Sequence, residues 1–282
     1  MPFAPVNRQR LYYEDSGGDG LPVILSHGFL MDHEMFARQV AALCPEFRVV
    51  TWDARGFGET GYDGQPFTYW DSARDCLALL DHLGIRQAVF GGMSQGGFVS
   101  LRAALLAPER VLGLVLIDTQ AGAEDPEKIA GYRQLMDGWI ALGLSDEVAQ
   151  IIAGIIIADP EESASWIAKW KALKDPRQLV APTGCLLGHD DITARLPAIV
   201  APALVIHGSL DTAIPLAQAE ALCAGISSRT ELVVIAGAAH AANLTHPAAV
   251  NPPIQAFFAD APDGCRRELK SLGRRLAPAD AG

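Results

Sequence analysis

Short apolar segments alternate with helical patterns along most of this chain, and the alternation restricts the fold more than any other feature of the sequence. The segments are rich in β-branched residues, are bounded by turn residues and do not alternate with polar positions, as expected for strands buried on both faces of a sheet. They occupy residues 22–26, 47–51, 88–90, 111–117, 203–206 and 232–235. Strands separated by helices predict an α/β fold with a mostly parallel sheet flanked by helices.

The clearest helix is predicted between residues 68 and 84. Its apolar positions recur on one helical face, at Ala73, Cys76, Leu77, Leu80 and Leu83. Thr68, with Asp71 three residues later, predicts a capping box at the start of the helix, and Gly84 predicts its end.

The alternation stops between residues 121 and 196, where helical periodicity continues without a convincing strand. Three of the five tryptophans, Trp139, Trp166 and Trp170, fall in this stretch. We therefore predict one α/β core from residues 1–120 and 197–260, a helical cap at 121–196 and a charged tail at 261–282.

Composition excludes several classes of function. A formal charge of −11, with no basic run before the tail, argues against nucleic acid and anionic membranes as partners. The chain starts without a signal-peptide pattern and has no apolar stretch long enough to span a bilayer, which predicts a cytoplasmic protein. Five widely spaced cysteines with no CxxC pair predict reduced thiols and no metal site.

A possible nucleophile lies in the segment Gly92-Met93-Ser94-Gln95-Gly96, between the strand at 88–90 and a helical segment at 98–106. A serine on a sharp turn from strand to helix is lifted above the sheet, and such a turn requires small residues on both sides. A GxSxG match alone is weak in a chain with 27 glycines, so its position after a strand is what makes Ser94 a candidate.

The segment His27-Gly28-Phe29 follows the strand at 22–26. We predict that the backbone N–H groups of Phe29 and Gln95 form an oxyanion hole, which stabilises the charge that develops when a serine attacks a carbonyl group. His27 is interpreted as a structural residue that shapes this loop.

Two further candidates also follow strands. Asp211 comes after the strand at 203–206, and His240 after that at 232–235, so both emerge with Ser94 at the carboxyl edge of the sheet, where open α/β sheets bind ligands. Asp118 is a rival for the acid. His246 is a weaker rival for the base because it does not directly follow a strand.

Taken together, these segments resemble the α/β-hydrolase superfamily, in the branch of bacterial esterases, enol-lactonases and cofactor-free haloperoxidases. The resemblance rests on His27-Gly28, residues 53–58, residues 92–97, Asp211 and His240. It implies the α/β-hydrolase fold with a helical cap inserted after the sixth strand, a Ser-His-Asp triad and no cofactor. It also implies that residues 53–58 form a structural turn without a catalytic role.

We therefore expect a serine hydrolase that cleaves a carboxylic ester or lactone of a small to medium apolar substrate through an acyl-enzyme. Acyl transfer to peroxide, cleavage of a carbon–carbon bond beside a carbonyl, and a ligand receptor without turnover are the alternatives. A cap over the site must present part of its apolar surface to the substrate, and Trp139, Trp166 and Trp170 are the candidate substrate-binding residues. A homo-oligomer is left open.

Overall fold

The fold was analysed in a computed structural model that describes residues 2–61 and 63–259. The predicted tail at 261–282, with Cys265, lies outside the described residues. No disulfide joins the four cysteines within the described residues, Cys44, Cys76, Cys185 and Cys223.

A single eight-stranded sheet forms the centre of the molecule. Its strands are β1 (Phe3–Val6), β2 (Gln9–Asp15), β3 (Leu21–Ser26), β4 (Phe47–Trp52), β5 (Ala88–Met93), β6 (Val111–Ile117), β7 (Ala203–Gly208) and β8 (Thr230–Ile235). Their order is β1-β2-β4-β3-β5-β6-β7-β8, and all neighbours from β4 to β8 pair in parallel. The predicted α/β class and mostly parallel sheet are confirmed.

Strands β1 and β2 were not predicted from the sequence. They form an antiparallel hairpin at one edge of the sheet, where β2 also pairs antiparallel with β4. Buried and exposed residues mix along β2, so it lacks the continuous apolar run that marked the central strands. The six predicted segments are β3 to β8, each of which pairs in parallel with at least one neighbouring strand.

Helices connect and flank the sheet. In the core they are α1 (Ala37–Leu43), α2 (Tyr69–His82), α3 (Gln95–Leu106), α8 (Leu216–Gly225), α9 (Ala242–Thr245) and α10 (Pro247–Ala259). The capping box predicted at the start of α2 is present: Thr68 accepts from the backbone of Asp71, whose side chain accepts from the backbone of Thr68. Gly84 follows the helix with a φ of +67°, which an L side chain rarely adopts.

Four helices lie between β6 and β7, and we call residues 121–196 the helical insert. They are α4 (Pro126–Leu142), α5 (Asp146–Ile156), α6 (Pro160–Lys171) and α7 (Val180–Leu187). The insert follows the sixth strand, as the resemblance implied. Across residues 2–61 and 63–259, no helix combines the length and apolarity needed to cross a lipid bilayer.

Candidate active site

Ser94 lies on the turn between β5, which ends at Met93, and α3, which begins at Gln95. Its backbone has φ +53° and ψ −117°, a left-handed conformation that costs free energy outside glycine. Hydrogen bonds hold the turn: the N–H of Ser94 donates to the oxygen of Ile117 at 2.9 Å, and the Thr119 hydroxyl donates to the Ser94 carbonyl at 2.7 Å. The strained serine is therefore anchored to the end of the neighbouring strand β6.

Glycine is required beside this turn because backbones approach closely. A Cβ added to Gly92 would lie 2.1 Å from the carbonyl carbon of Gly96, and one added to Gly96 would lie 1.8 Å from the oxygen of Ser26. No side chain fits at such distances, so α3 can start directly over the ends of β3 and β5.

His240 and Asp211 form a hydrogen-bonded pair next to this turn. His240 Nδ1 lies 2.8 Å from Asp211 Oδ2, and the other carboxylate oxygen accepts the backbone N–H groups of Ala213 at 2.8 Å and Ile214 at 2.9 Å. The Asp211 side chain is fully buried, and His240 is 5% exposed. The pair leaves His240 Nε2 as the ring nitrogen that is free to act on a substrate or a nucleophile.

The charge around His240 favours its protonated form. Burial alone would lower the pKa of His240, but Asp211, followed by Asp118 and Glu124, outweighs burial and raises that pKa above its ordinary value. An imidazole with a raised pKa binds a proton more readily, which suits a group that must accept one during a reaction.

Asp118, the rival acid, has different partners. Its carboxylate accepts the backbone N–H of Gly208 at 2.7 Å and that of Ala242 at 3.0 Å. Burial raises the pKa of Asp118 to about 8. Asp118 therefore connects the end of β6 to the loops that carry Asp211 and His240, while Asp211 is the carboxylate bonded to the imidazole.

A second histidine, His207, lies behind the pair. The ligand atoms of Asp118, His207 and Asp211 all lie within 4.8 Å of one another, a spacing that suits a metal ion. However, His207 Nε2 lies 2.9 Å from the oxygen of Ile214, both carboxylates accept backbone N–H groups, and burial lowers the pKa of His207. Protein hydrogen bonds thus engage both carboxylates and His207 Nε2, while His207 Nδ1 is buried without a hydrogen-bond partner.

Ser94 and His240 line one cavity between the core and the helical insert. The core contributes mainly Phe29, Leu30, Met93, Phe98 and Ile214. The insert contributes mainly Leu135, Met136, Ile152, Ile155, Ile156, Leu186 and Leu187. The cavity therefore brings two polar, reactive side chains to an apolar space suited to hydrocarbon.

Three polar residues of this cavity, Glu124, Tyr132 and Thr183, were missed in the sequence. Glu124 and Tyr132 line it together with Ser94 and His240. Burial is the main cause that raises the pKa of Glu124, and it raises that of Tyr132 to about 12. The available signal was position, since Glu124 follows the carboxyl end of β6 and loops at these ends line sites in parallel sheets.

The three tryptophans named as substrate-binding candidates do not line the cavity of Ser94. They border a separate depression that also includes Lys169. Trp170 Nε1 donates to the oxygen of Leu30 at 2.7 Å, and the rings of Trp139 and Trp170 lie 6.4 Å apart. Their large side chains fill the seam between insert and core, where the indole N–H of Trp170 finds a buried acceptor.

Of the two oxyanion-hole candidates, one lines the cavity of Ser94 and the other follows Ser94 in the chain. Phe29 lines the cavity, and Gln95 is the first residue of α3, whose N–H has no acceptor within the helix. His27 is buried in the same loop, where its Nε2 accepts the N–H of Ala54 at 2.9 Å and burial lowers its pKa. These contacts agree with a structural histidine.

His246 and residues 53–58 lie outside the cavity lining. His246 Nδ1 lies 2.8 Å from the hydroxyl of Thr245, next to it in the chain. Asp53 is buried and accepts the N–H groups of His33 at 2.7 Å and Glu59 at 2.8 Å. This bonding holds the turn after β4, which is the structural role that the resemblance implied for the segment.

Comparison with known proteins gives consistent matches over most of the chain. The sequence pattern of the alpha/beta hydrolase fold family matches residues 22–247. A putative non-heme chloroperoxidase from Synechocystis sp. is 29% identical over 92% of this chain and 100% of its own length.

Solved structures give the same picture. A thermophilic esterase from Thermogutta terrifontis superposes with a TM-score of 0.82 at 30% identity, covering 93% of this chain and 97% of its own. The enol-lactonase from Burkholderia xenovorans superposes with a TM-score of 0.83 at 28% identity, covering 92% of this chain and 100% of its own.

Proposed function

The chain belongs to the alpha/beta hydrolase fold family, and we propose that it is a serine hydrolase that cleaves a carboxylic ester or lactone with an apolar acyl group. One observation carries the proposal: Ser94 and His240 line one apolar cavity, and His240 is bonded through Nδ1 to the buried Asp211. The relatives named as an esterase and an enol-lactonase support the same class of reaction.

In the proposed reaction, His240 Nε2 takes the proton of Ser94 as the serine oxygen attacks the carbonyl carbon of the substrate. Asp211 holds the ring with Nδ1 protonated and stabilises the imidazolium that forms. His240 then gives the proton to the leaving alcohol, which yields an acyl-enzyme on Ser94. A water molecule, activated by His240 in the same way, releases the acid.

The negative oxygen of the tetrahedral intermediate needs donors that are already in place. We propose the backbone N–H groups of Phe29 and Gln95 for this role, since they lie in the loop after β3 and at the start of α3. Each such donor contributes on the order of 3–4 kcal/mol to stabilising the transition state in enzymes of this type.

The substrate class follows from the walls of the cavity. Aliphatic and aromatic side chains from both core and insert surround the two reactive groups. An apolar acyl group buried there gains about 25 cal/mol for each Å² removed from water. We therefore propose small to medium aliphatic esters or lactones as substrates.

Turnover is the decisive test, because a receptor that retains a reactive serine would also react once. The purified protein is mixed with 4-nitrophenyl esters of graded chain length and with lactones, and product is followed through the burst into the steady state. We expect many turnovers per molecule and stoichiometric labelling of Ser94 by a fluorophosphonate. One equivalent of product followed by a negligible steady rate with every substrate would contradict hydrolysis and favour a receptor.

A further inference from the structure

Building on the proposed function, we infer that Glu124 sets the charge selectivity of the cavity. It rejects acyl groups that carry a carboxylate and tolerates neutral or cationic ones. Among the residues that the structure describes, Glu124 is the one carboxylic acid in the cavity wall, and no lysine or arginine lines the cavity.

Within residues 2–61 and 63–259, no lysine or arginine of the cavity wall is available to receive an anionic substrate. Lys128 is close enough to affect Glu124, but its ammonium group donates to the oxygens of Thr212 at 2.9 Å and Ala213 at 2.7 Å. Glu124 itself accepts the N–H of Asp125 at 3.3 Å. The glutamate is thus held at the cavity wall, and the lysine is directed towards backbone carbonyls.

The remaining charges around the site are also negative. The carboxylate of Asp211 is bonded to His240, and Asp125 follows Glu124 in the chain. A carboxylate on the substrate would therefore lose water without gaining a partner, and the apolar walls would strengthen its repulsion from Glu124. An ammonium group at the same position would be attracted.

The inference predicts opposite effects for opposite charges. Three activated 4-nitrophenyl esters of equal acyl length are compared, with a terminal tert-butyl group, a terminal carboxylate and a terminal trimethylammonium group. In Glu124→Gln, we expect kcat/KM for the carboxylate relative to the tert-butyl ester to rise about tenfold, and the ratio for the ammonium ester to fall about tenfold. A change of shape or hydration would not give opposite signs.

The matched control is Glu147→Gln. Glu147 is exposed on α5, in the same insert, and does not line the cavity. Its substitution by glutamine removes the same charge from the protein. Both ratios should stay within about twofold of the wild type. Assays are run on the alkaline plateau of each variant, because Glu124 also raises the pKa of His240.

Binding without turnover separates this inference from the proposed function. Dissociation constants of hexanoate and hexylammonium are measured by calorimetry. Glu124→Gln should lower the dissociation constant of hexanoate and raise that of hexylammonium. The role of Glu124 would be overturned if the kcat/KM ratios and the dissociation constants do not change. It would also be overturned if the values for the anionic and the cationic compounds shift in the same direction. If the wild type hydrolyses none of the esters but Glu124→Gln still shifts the two dissociation constants in opposite directions, the proposed hydrolysis is contradicted and the role of Glu124 stands.

Discussion

The two walls of the cavity are built on different principles. On the core side, polar groups have defined partners: His240 is bonded to Asp211, whose second oxygen accepts two backbone N–H groups. On the insert side, most lining side chains, such as Ile155 and Leu186, are aliphatic and contact the cavity without a polar partner, and Glu124, Tyr132 and Thr183 are the polar exceptions. The contrast indicates that substitutions in the core should lower the rate for all substrates alike, whereas substitutions in the insert should change their ranking.

Removing the proposed nucleophile or the proposed base should have the largest effect. We expect Ser94→Ala and His240→Ala each to lower kcat by about 10⁴-fold or more for every ester, because the triad acts as a unit. The double variant should be little slower than either single one. Steady-state kinetics check this, and losses that multiply in the double variant would show that the two residues act independently.

The two carboxylates of the core should differ clearly. Asp211→Asn should lower kcat by about 10³–10⁴-fold, since the imidazole loses the group that fixes its tautomer. Asp118→Asn should lower the free energy of unfolding by about 1–3 kcal/mol, because an amide nitrogen then faces a backbone N–H, with a smaller loss of kcat. Kinetics and thermal denaturation of both variants test this. A larger loss of kcat in Asp118→Asn would assign the acid to Asp118.

The pH dependence of the rate should be the same for all substrates if the titrating group is His240 in the core. The reaction needs neutral His240, whose pKa is raised above 6.5, so activity should fall about tenfold per pH unit below a midpoint that lies above 6.5. Initial rates between pH 5 and 9 measure that midpoint. A midpoint that moves with chain length, or a rate independent of pH in this range, would argue for another base.

The smallest effect should come from the insert. Ile156→Ala enlarges the cavity, and the preference for long over short acyl chains should rise by about five- to tenfold. Trp139→Phe, in the separate depression, is the control and should leave the preference unchanged. If Ile156→Ala instead lowers the rate equally for substrates of all chain lengths, the proposed difference between core and insert substitutions is contradicted.

The same contrast explains what could be predicted from the sequence. The central strands are marked by continuous apolar runs, and Ser94, Asp211 and His240 were chosen because each directly follows one, which is short-range information. Which insert residues line the cavity depends on how the helices of the insert are rotated against one another, and local sequence patterns do not predict that rotation. Trp139 and Trp170 are expected to bind substrate because a cap must present apolar surface to it, yet they pack against each other, while Glu124 lines the cavity.

The crowding around Ser94 has a consequence for directed evolution of this enzyme. In a saturation library, position 96 should be almost empty of active clones, since even alanine would place a carbon 1.8 Å from the oxygen of Ser26. Ile155 and Leu186 face open cavity and should accept many residues. Library diversity is therefore better spent on the insert, where new substrate preferences can be selected while the strand ends that carry the chemistry stay intact.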